Sequence, residues 1–387
     1  MCATSFYSDL ENQYQIPTYS KWPITLIEGE GCRVRDSEGV EYLDFYGGHC
    51  VALLGHCHAG WVEAITRQAS KLSFYSNVVS NDIRAVYQQR LVEFSPSHLT
   101  RVFLCNSGAE ANETAIKVAL KATGRTGLVT MKGGFHGRTA AALSVTTIGQ
   151  YRDQFPSLVR DVEVAEFGDL DSLRSHLGPD SAAVILEPIQ SMNGVCTAYS
   201  GYLADVVELC EQNGTLAIFD EVQTGVGRVG ASFAAERFGA RAHLVSTAKG
   251  LANGIPIGAV LASEEVALEM KLGELGTTFG GGPIACAAAL AVLDAIEKEK
   301  LIDNALHLES VANQMLITGP VRSVRGYGLL LGLETSVPAR QVTRYLFEHQ
   351  ILAGTSADPN VVRLMPPLTI DEESFERLAS VLERFPE

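Results

Sequence analysis

The sequence predicts an α/β protein: a mainly parallel sheet covered by helices on both faces, followed by a smaller α+β part. Two observations carry this. Between about residues 100 and 260, short β-rich apolar runs alternate with amphipathic helical stretches, a rhythm that implies parallel strands joined by crossover helices. Beyond residue 283 the pattern changes to a long helical stretch, a glycine-punctuated pair of strands and two further helices.

Taken in order, "GCRVRDSEGVEYLDFYGG" reads as two strands joined by a turn around Ser37 to Gly39, packing with the C-terminal part. The strand runs "RVFLCN", "GLVTMK", "AAVILEP", "TLAIFDE" and "HLVSTAK" follow, with clear helices at "AEANETAIKVALKA" and "GYLADVVELCEQNG". The second of these stops at Asn213-Gly214, a good C-terminal signal. A helical stretch is expected from about Pro283 through Gln314, then strands in "VRSVRGYGLLLGLE", a helix in "ARQVTRYLFEHQ" and a strand in "NVVRLMPPL". A last helix opens at Thr369, with Glu372 three residues on as a capping box. These readings divide the chain into an N-terminal segment (1–55) packing with the small domain, a large domain (56–285) and a C-terminal small domain (286–387).

Composition narrows the function classes. The balance of 30 basic and 45 acidic residues, a net charge of −15, argues against non-specific binding to nucleic acid or an anionic membrane. Any anionic substrate must be gripped by placed arginines. Eight scattered cysteines and an N-terminus without a basic or apolar leader point to free thiols in a reducing cytoplasm. "GHCHAG" lacks the spacing of a zinc site and reads as a structural loop, so no metal is expected. Gly250, Gly254 and Gly258 fall four apart, but Pro256 and Asn253 break any membrane helix there.

Chemistry gathers where each strand ends. Ligands of open parallel sheets bind beyond the carboxyl ends of strands. There stand Asn106-Ser107, Lys132-Gly133-Gly134, Glu187, Asp220-Glu221 and Lys249. In "NSGAEANE", Ser107 and Glu110 form a capping box, while Gly108 and Ala109 leave the first helical N–H groups free to hold a phosphate. Gly225, Gly227 and Gly230 also fit G-x-G-x-x-G, but they stand away from their strand and no acid follows to hold a ribose. Asp220 ends a buried strand and needs a cationic partner; Lys249, in "LVSTAKGLANGIPIGAVLAS", is the one ionisable group in twenty residues. Phosphate cradle, carboxylate and sequestered lysine match the needs of pyridoxal 5′-phosphate, with Phe135 suited to stack on its ring.

The sequence resembles the class III pyridoxal-phosphate aminotransferases, and within them the acetylornithine aminotransferase group. "NSGAEANE", "GFHGRT", "EPIQ", "DEVQTGVGR", "AKGLANGIPIGA" and "GTTFGGGP" carry the resemblance in order over nearly the whole chain. It implies fold type I of the pyridoxal-phosphate enzymes and a homodimer with shared active sites. It also implies Lys249 as Schiff-base lysine and proton carrier, Asp220 at the pyridine nitrogen, Gln223 beside the ring hydroxyl and Phe135 on the ring. Ser107, Gly108 and Ala109 would hold the phosphate with Thr278 of the other subunit. Arg138 would clamp the carboxylate far from the reacting amine and Arg363 the α-carboxylate of glutamate, with Glu187 pairing Arg363 as a gate.

Two departures stand out. Gly282 replaces the family's usual Asn, and His49 stands where ornithine δ-aminotransferases carry a tyrosine that contacts the free α-amino group. His49 therefore leans toward an N-acylated amine. The implied reaction moves the terminal amine of N2-acetylornithine to 2-oxoglutarate; N-succinylornithine, 4-aminobutyrate, ornithine and a carrier-linked lysine intermediate are the alternatives. A pyridoxal-phosphate-binding regulator would carry a basic DNA-binding segment or lack the lysine, and the sequence has neither mark.

Overall fold

The computed structural model describes residues 3–386; Cys2, one of the eight cysteines, lies outside the described residues. Near the N-terminus Leu26–Glu30 (β1), Arg33–Asp36 (β2) and Glu41–Asp44 (β3) pair antiparallel in sequence order. The expected turn between β2 and β3 is closed by Asp36, whose carboxylate accepts from the backbone N–H groups of Glu38 and Val40 at 3.0 and 2.9 Å.

The large sheet contains Arg101–Cys105 (β4), Gly127–Met131 (β5), Glu163–Ala165 (β6), Ser181–Leu186 (β7), Leu216–Asp220 (β8), Leu244–Thr247 (β9) and Gly258–Ala262 (β10). Their order is β4-β10-β9-β8-β7-β5-β6. The strands β6, β5, β7, β8 and β9 run parallel, whereas β10 turns back and pairs antiparallel with both β9 and β4. All five expected runs are strands of this sheet; β6 and β10 are additions that the alternating rhythm does not reveal.

Pleating explains why the central runs read as continuously apolar. Val184, Leu186, Phe219 and Val245 join one buried cluster, while Ala183, Ile185, Ile218 and Leu244 join another. Successive side chains point to opposite faces, and both faces are covered. The helix Gly108–Thr123 closes one face with Ala111, Ala115, Ile116 and Ala119 and ends at the left-handed Gly124. The helix Tyr202–Asn213 ends at the left-handed Gly214, as its sequence predicts.

In the C-terminal part, Val321–Tyr327 (β11), Leu330–Thr335 (β12), Ile351–Leu352 (β13), Gly354–Thr355 (β14) and Val361–Leu364 (β15) build the order β11-β12-β15-β14. Strand β13 leaves that sheet and pairs parallel with β3, placing Ile351 opposite Leu43, so the first strands do pack with the C-terminal part.

Three expectations change. The stretch from Pro283 is two helices, Pro283–Lys298 and Leu301–Met315, separated by Lys300 in the left-handed region. The first packs against the helices Ala59–Lys71 and Asp82–Phe94, although the expected large domain ends at residue 285. The last helix, Glu372–Glu383, is capped by Asp371, whose side chain accepts from Ser374 N–H; Thr369 instead donates to the Leu54 carbonyl. An aspartate one position from the helix is the stronger cap.

"GHCHAG" is a structural loop. His56 meets Asp44 at 3.0 Å, and His58 caps the helix Ala59–Lys71 while its Nε2 meets Glu299 at 2.9 Å. No described helix is long and apolar enough to cross a membrane.

One glycine links fold to site. A Cβ on Gly258 would stand 2.5 Å from the Ser107 carbonyl and 2.9 Å from Cys105 Sγ. Gly258→Ala should therefore displace the start of the helix Gly108–Thr123 and cost about 1–3 kcal/mol. Urea unfolding checks this; an unchanged midpoint would show that the contact relaxes freely.

Candidate active site

The parallel strands deliver their carboxyl ends to one rim, and a cavity of about 280 Å³ opens there. Eight sequence-selected residues border it: Ser107, Gly108, Ala109, Phe135, Glu187, Asp220, Gln223 and Lys249. His49, Arg138, Arg363 and Thr278 do not line it in the single chain.

One end of the cavity is the start of the helix Gly108–Thr123. Ser107 caps it, accepting from Glu110 N–H at 3.1 Å, while Glu110 reaches back to the N–H of Asn106, one residue before the cap. Gly108 allows a close approach, since a Cβ there would lie 2.9 Å from Val222.

Asp220 is buried at the end of β8 and held by three donors. Asn112 Nδ2 gives 2.7 Å and His136 Nδ1 lies at 2.8 Å from Oδ2; Val222 N–H reaches Oδ1 at 3.0 Å. Asn112 is itself fixed by Ser246 Oγ at 2.5 Å, from β9, and by the His136 carbonyl at 2.7 Å. Sequence reasoning missed Asn112, His136 and Ser246. The signal was an amide on the otherwise alanine-rich buried face of the helix Gly108–Thr123.

Lys249 opens a 3-10 turn, Lys249–Ala252, with φ of +46°. For a side chain with a Cβ this is a sparsely populated conformation, of a kind concentrated at functional sites. Its amine has no hydrogen bond or ion pair among the described residues. Burial lowers its pKa below the ordinary lysine range, Arg363 adds to this, and the Cys50, Asp220 and Glu187 groups oppose it.

The acidic gate takes a different form from the expected one. Glu187 makes no ion pair with Arg363; its buried carboxyl accepts from Phe135 N–H at 2.9 Å and is pushed up to about 7, chiefly by burial. A carboxyl with that preference for its proton has little to offer a guanidinium. Arg363, 2% exposed, instead donates from Nε to the Thr355 carbonyl at 2.7 Å and from Nη1 to Ser191 Oγ at 3.0 Å. Its Nη2 has no partner among the described residues.

Arg138 is exposed and lies over the Tyr151 ring, 4.3 Å from the centroid, with no carboxylate beside it among the described residues. Tyr151 also packs edge-on against Phe135, with centroids 5.2 Å apart. His49 sits in the left-handed region, its Nδ1 hydrogen-bonded to Tyr46 Oη. Burial, then the charges of Lys249, Arg363 and Arg138, bring its pKa down to about 3, so the imidazole is neutral. Thr278 is exposed, next to the exposed Phe279. Gly282 caps the helix Pro283–Lys298 with ordinary negative φ.

Glu187 provides a pH test. Its folded pKa of about 7 lies above the ordinary 4.5, so the stability it contributes is complete below about 4.5 and is lost as pH rises to about 7. Glu187→Gln should be relatively more stable at pH 7.5 than at pH 5, by on the order of 1–3 kcal/mol against the native chain. Urea unfolding at the two pH values measures the gap, and a gap independent of pH rejects the buried acid.

The comparisons agree with this geometry. Residues 14–385 match the model for aminotransferase class III. The acetylornithine aminotransferase of Methanosarcina mazei is 41% identical over 97% of this chain and 95% of its own length. That of Methanopyrus kandleri is 42% identical over 97% of each. The crystal structure of the ornithine aminotransferase from Toxoplasma gondii superimposes with a TM-score of 0.93 at 30% identity, covering 99% of this chain and 95% of that one. With an unpartnered lysine, an anchored aspartate and a capped helix N-terminus on one sheet rim, and with the family pattern running almost end to end, the chain belongs to the class III aminotransferases.

Proposed function

We propose that this chain binds pyridoxal 5′-phosphate and moves the terminal amine of N2-acetylornithine to 2-oxoglutarate. The products are N-acetyl-L-glutamate 5-semialdehyde and glutamate, in the arginine biosynthesis of the cytoplasm. The observation that carries the reading is a pair of guanidinium groups, Arg363 and Arg138, without carboxylate partners among the described residues, beside an unpartnered lysine amine. A buried guanidinium lacking a carboxylate is costly, and a substrate carboxylate offsets that cost. Arg363 is buried and Arg138 exposed, and one guanidinium of each kind suits a reaction whose two substrates both carry carboxylates.

The residues present fit the cofactor. Ser107, Gly108 and Ala109 offer backbone N–H groups at a helix N-terminus for a phosphate, and the Cβ-free Gly108 lets that helix start pack against Val222 beside the cavity. Asp220 offers a carboxylate for a pyridine N–H, Gln223 an amide for the ring hydroxyl, and Phe135 a face for the ring. When bound, pyridoxal phosphate withdraws electrons from the carbon bearing the amine and carries the amino group between the two substrates.

The side chains do the rest. Lys249 Nζ, biased toward its neutral form, accepts the proton that leaves the amine-bearing carbon and returns it. His136 and Asn112 fix the Asp220 carboxylate so that it holds a proton at the ring nitrogen. Arg363 grips the α-carboxylate of the dicarboxylate substrate with the planar fork suited to carboxylates, and Arg138 the carboxylate remote from the reacting carbon.

The acyl preference rests on charge. Arg363 and Arg138 both bear on the neutral His49, and a free α-ammonium placed there would meet their guanidinium charges. An acylated nitrogen carries no charge and is tolerated. Exposed Thr278, Phe279 and Phe74 support a homodimer in which the second copy's Thr278 completes the phosphate site.

Single-turnover spectra with N2-acetylornithine, N-succinylornithine, ornithine, 4-aminobutyrate and glutamate test the reading. The acylated amines should react fastest, and Lys249→Ala should lose every half-reaction. Arg363→Ala should slow the glutamate half-reaction on the order of 10²-fold while sparing the acylated amine. Ornithine equal to acetylornithine would remove the role of His49, and turnover by Lys249→Ala would remove the assignment.

A further inference from the structure

We propose that Ser191 is a positioning residue that locks the Gln223 amide with its Nε2 donors toward the cavity, tying the carboxylate-binding arginine to the cofactor's ring oxygen through one hydroxyl. The proposal rests on the reading of the cavity as a pyridoxal-phosphate site and adds a residue that neither the motifs nor the comparisons single out.

The argument is one of proton direction. Arg363 Nη1 lies 3.0 Å from Ser191 Oγ, and a guanidinium can only donate. The serine oxygen therefore accepts, and its single proton must go elsewhere. Gln223 Oε1 lies 3.0 Å from the same Oγ and takes it. That bond distinguishes the two ends of the amide: the oxygen faces Ser191, so Nε2 with its two hydrogens is the other end.

Nε2 has no partner among the described residues, and Gln223 borders the cavity. Ser191, Gln223 and Arg363 are all buried, so water does not compete freely for these bonds. The backbone of Gln223 is also restrained, since Cys50 Sγ lies 3.8 Å from its carbonyl oxygen. What remains for Nε2 is an acceptor in the cavity, and the phenolic oxygen of the cofactor is one.

Without the hydroxyl, the amide loses the contact that orders its two ends. With Ala or Gly at position 191, Gln223 Oε1 can turn toward the ring oxygen, where two acceptors repel. Arg363 loses one of its two oxygen acceptors at the same time.

The pH titration of the cofactor's visible absorption in the loaded enzyme reads this without turnover. A donor to the ring oxygen favours the high-pH form, in which that oxygen shares its negative charge least. Ser191→Ala and Ser191→Gly should move the midpoint upward by on the order of half a unit to one unit, the worth of one hydrogen bond. Ser191→Thr, which keeps the hydroxyl, should restore the native midpoint. Gln223→Ala should shift it as Ser191→Ala does, and the double variant should shift it no further. An unmoved midpoint in both Ser191→Ala and Ser191→Gly, with the cofactor band at full strength, overturns the role of Ser191 alone. So does a serine effect that persists on top of Gln223→Ala. A native chain that binds no pyridoxal phosphate overturns the cavity reading and this proposal together.

Discussion

A buried carboxylate that needs hydrogen-bond donors from several elements is the constraint around which this site is built. Asp220 ends a strand that lies inside the sheet, where an unpaired carboxylate is costly. Its three donors come from three places: Asn112 on the helix Gly108–Thr123, His136 on the loop after β5, and the backbone at Val222. Ser246 on β9 then fixes Asn112, so two neighbouring strands, one helix and one loop share a single network. Moving any of these would leave a polar group unpaired in a low-dielectric interior, which makes the network rigid. The Ser107-capped N-terminus belongs to the same helix that carries Asn112, so helix start and carboxylate hold a fixed separation.

Positive charge is the second organising element. Arg228, in "TGVGRVG", is fully buried and donates to the carbonyls of Leu329 and Pro366, pinning the loop after β8 to the C-terminal part. Arg363, on β15, reaches back to Ser191 and Thr355. The two arginines thus cross between the large sheet and the C-terminal elements in opposite senses, each using neutral oxygens as acceptors. Neutral acceptors leave the guanidinium charge uncompensated; Arg363 Nη2 has no partner among the described residues, and the unpartnered nitrogens of Arg228 are sealed from solvent.

The sequence made the sheet legible because its central strands are buried on both faces and so are written as unbroken apolar runs. Strand β10 escaped because Pro256 and the glycines before it read as loop, yet "GAVLA" is as apolar as its neighbours. Among site residues, Ser107, Asp220 and Lys249 were legible because they stand at strand or helix ends among groups that would otherwise be apolar. Asn112 and Ser191 were not, because each acts through contacts to distant elements that no spacing encodes. Glu187 shows the limit of pattern: its place was evident, but its partner, Phe135 N–H rather than Arg363, depends on where the loop after β5 folds.

The turn that carries His49 shows how a strained segment is held by the architecture around it. Gly47, Gly48, His49 and Cys50 all have positive φ, with His49 at +70° and Cys50 at +66°. Two residues with side chains held there store strain that surrounding contacts must offset. Asp44, the last residue of β3, accepts from the N–H groups of Tyr46 and Gly47 at 2.9 and 2.8 Å and also meets His56. Asp44 in turn is aligned by the pairing of β3 with β13, opposite Leu352. The His49 imidazole is therefore positioned by the hydrogen bonds that join the first strands to the C-terminal part. A change that loosens β3 from β13 would loosen the strained turn with it.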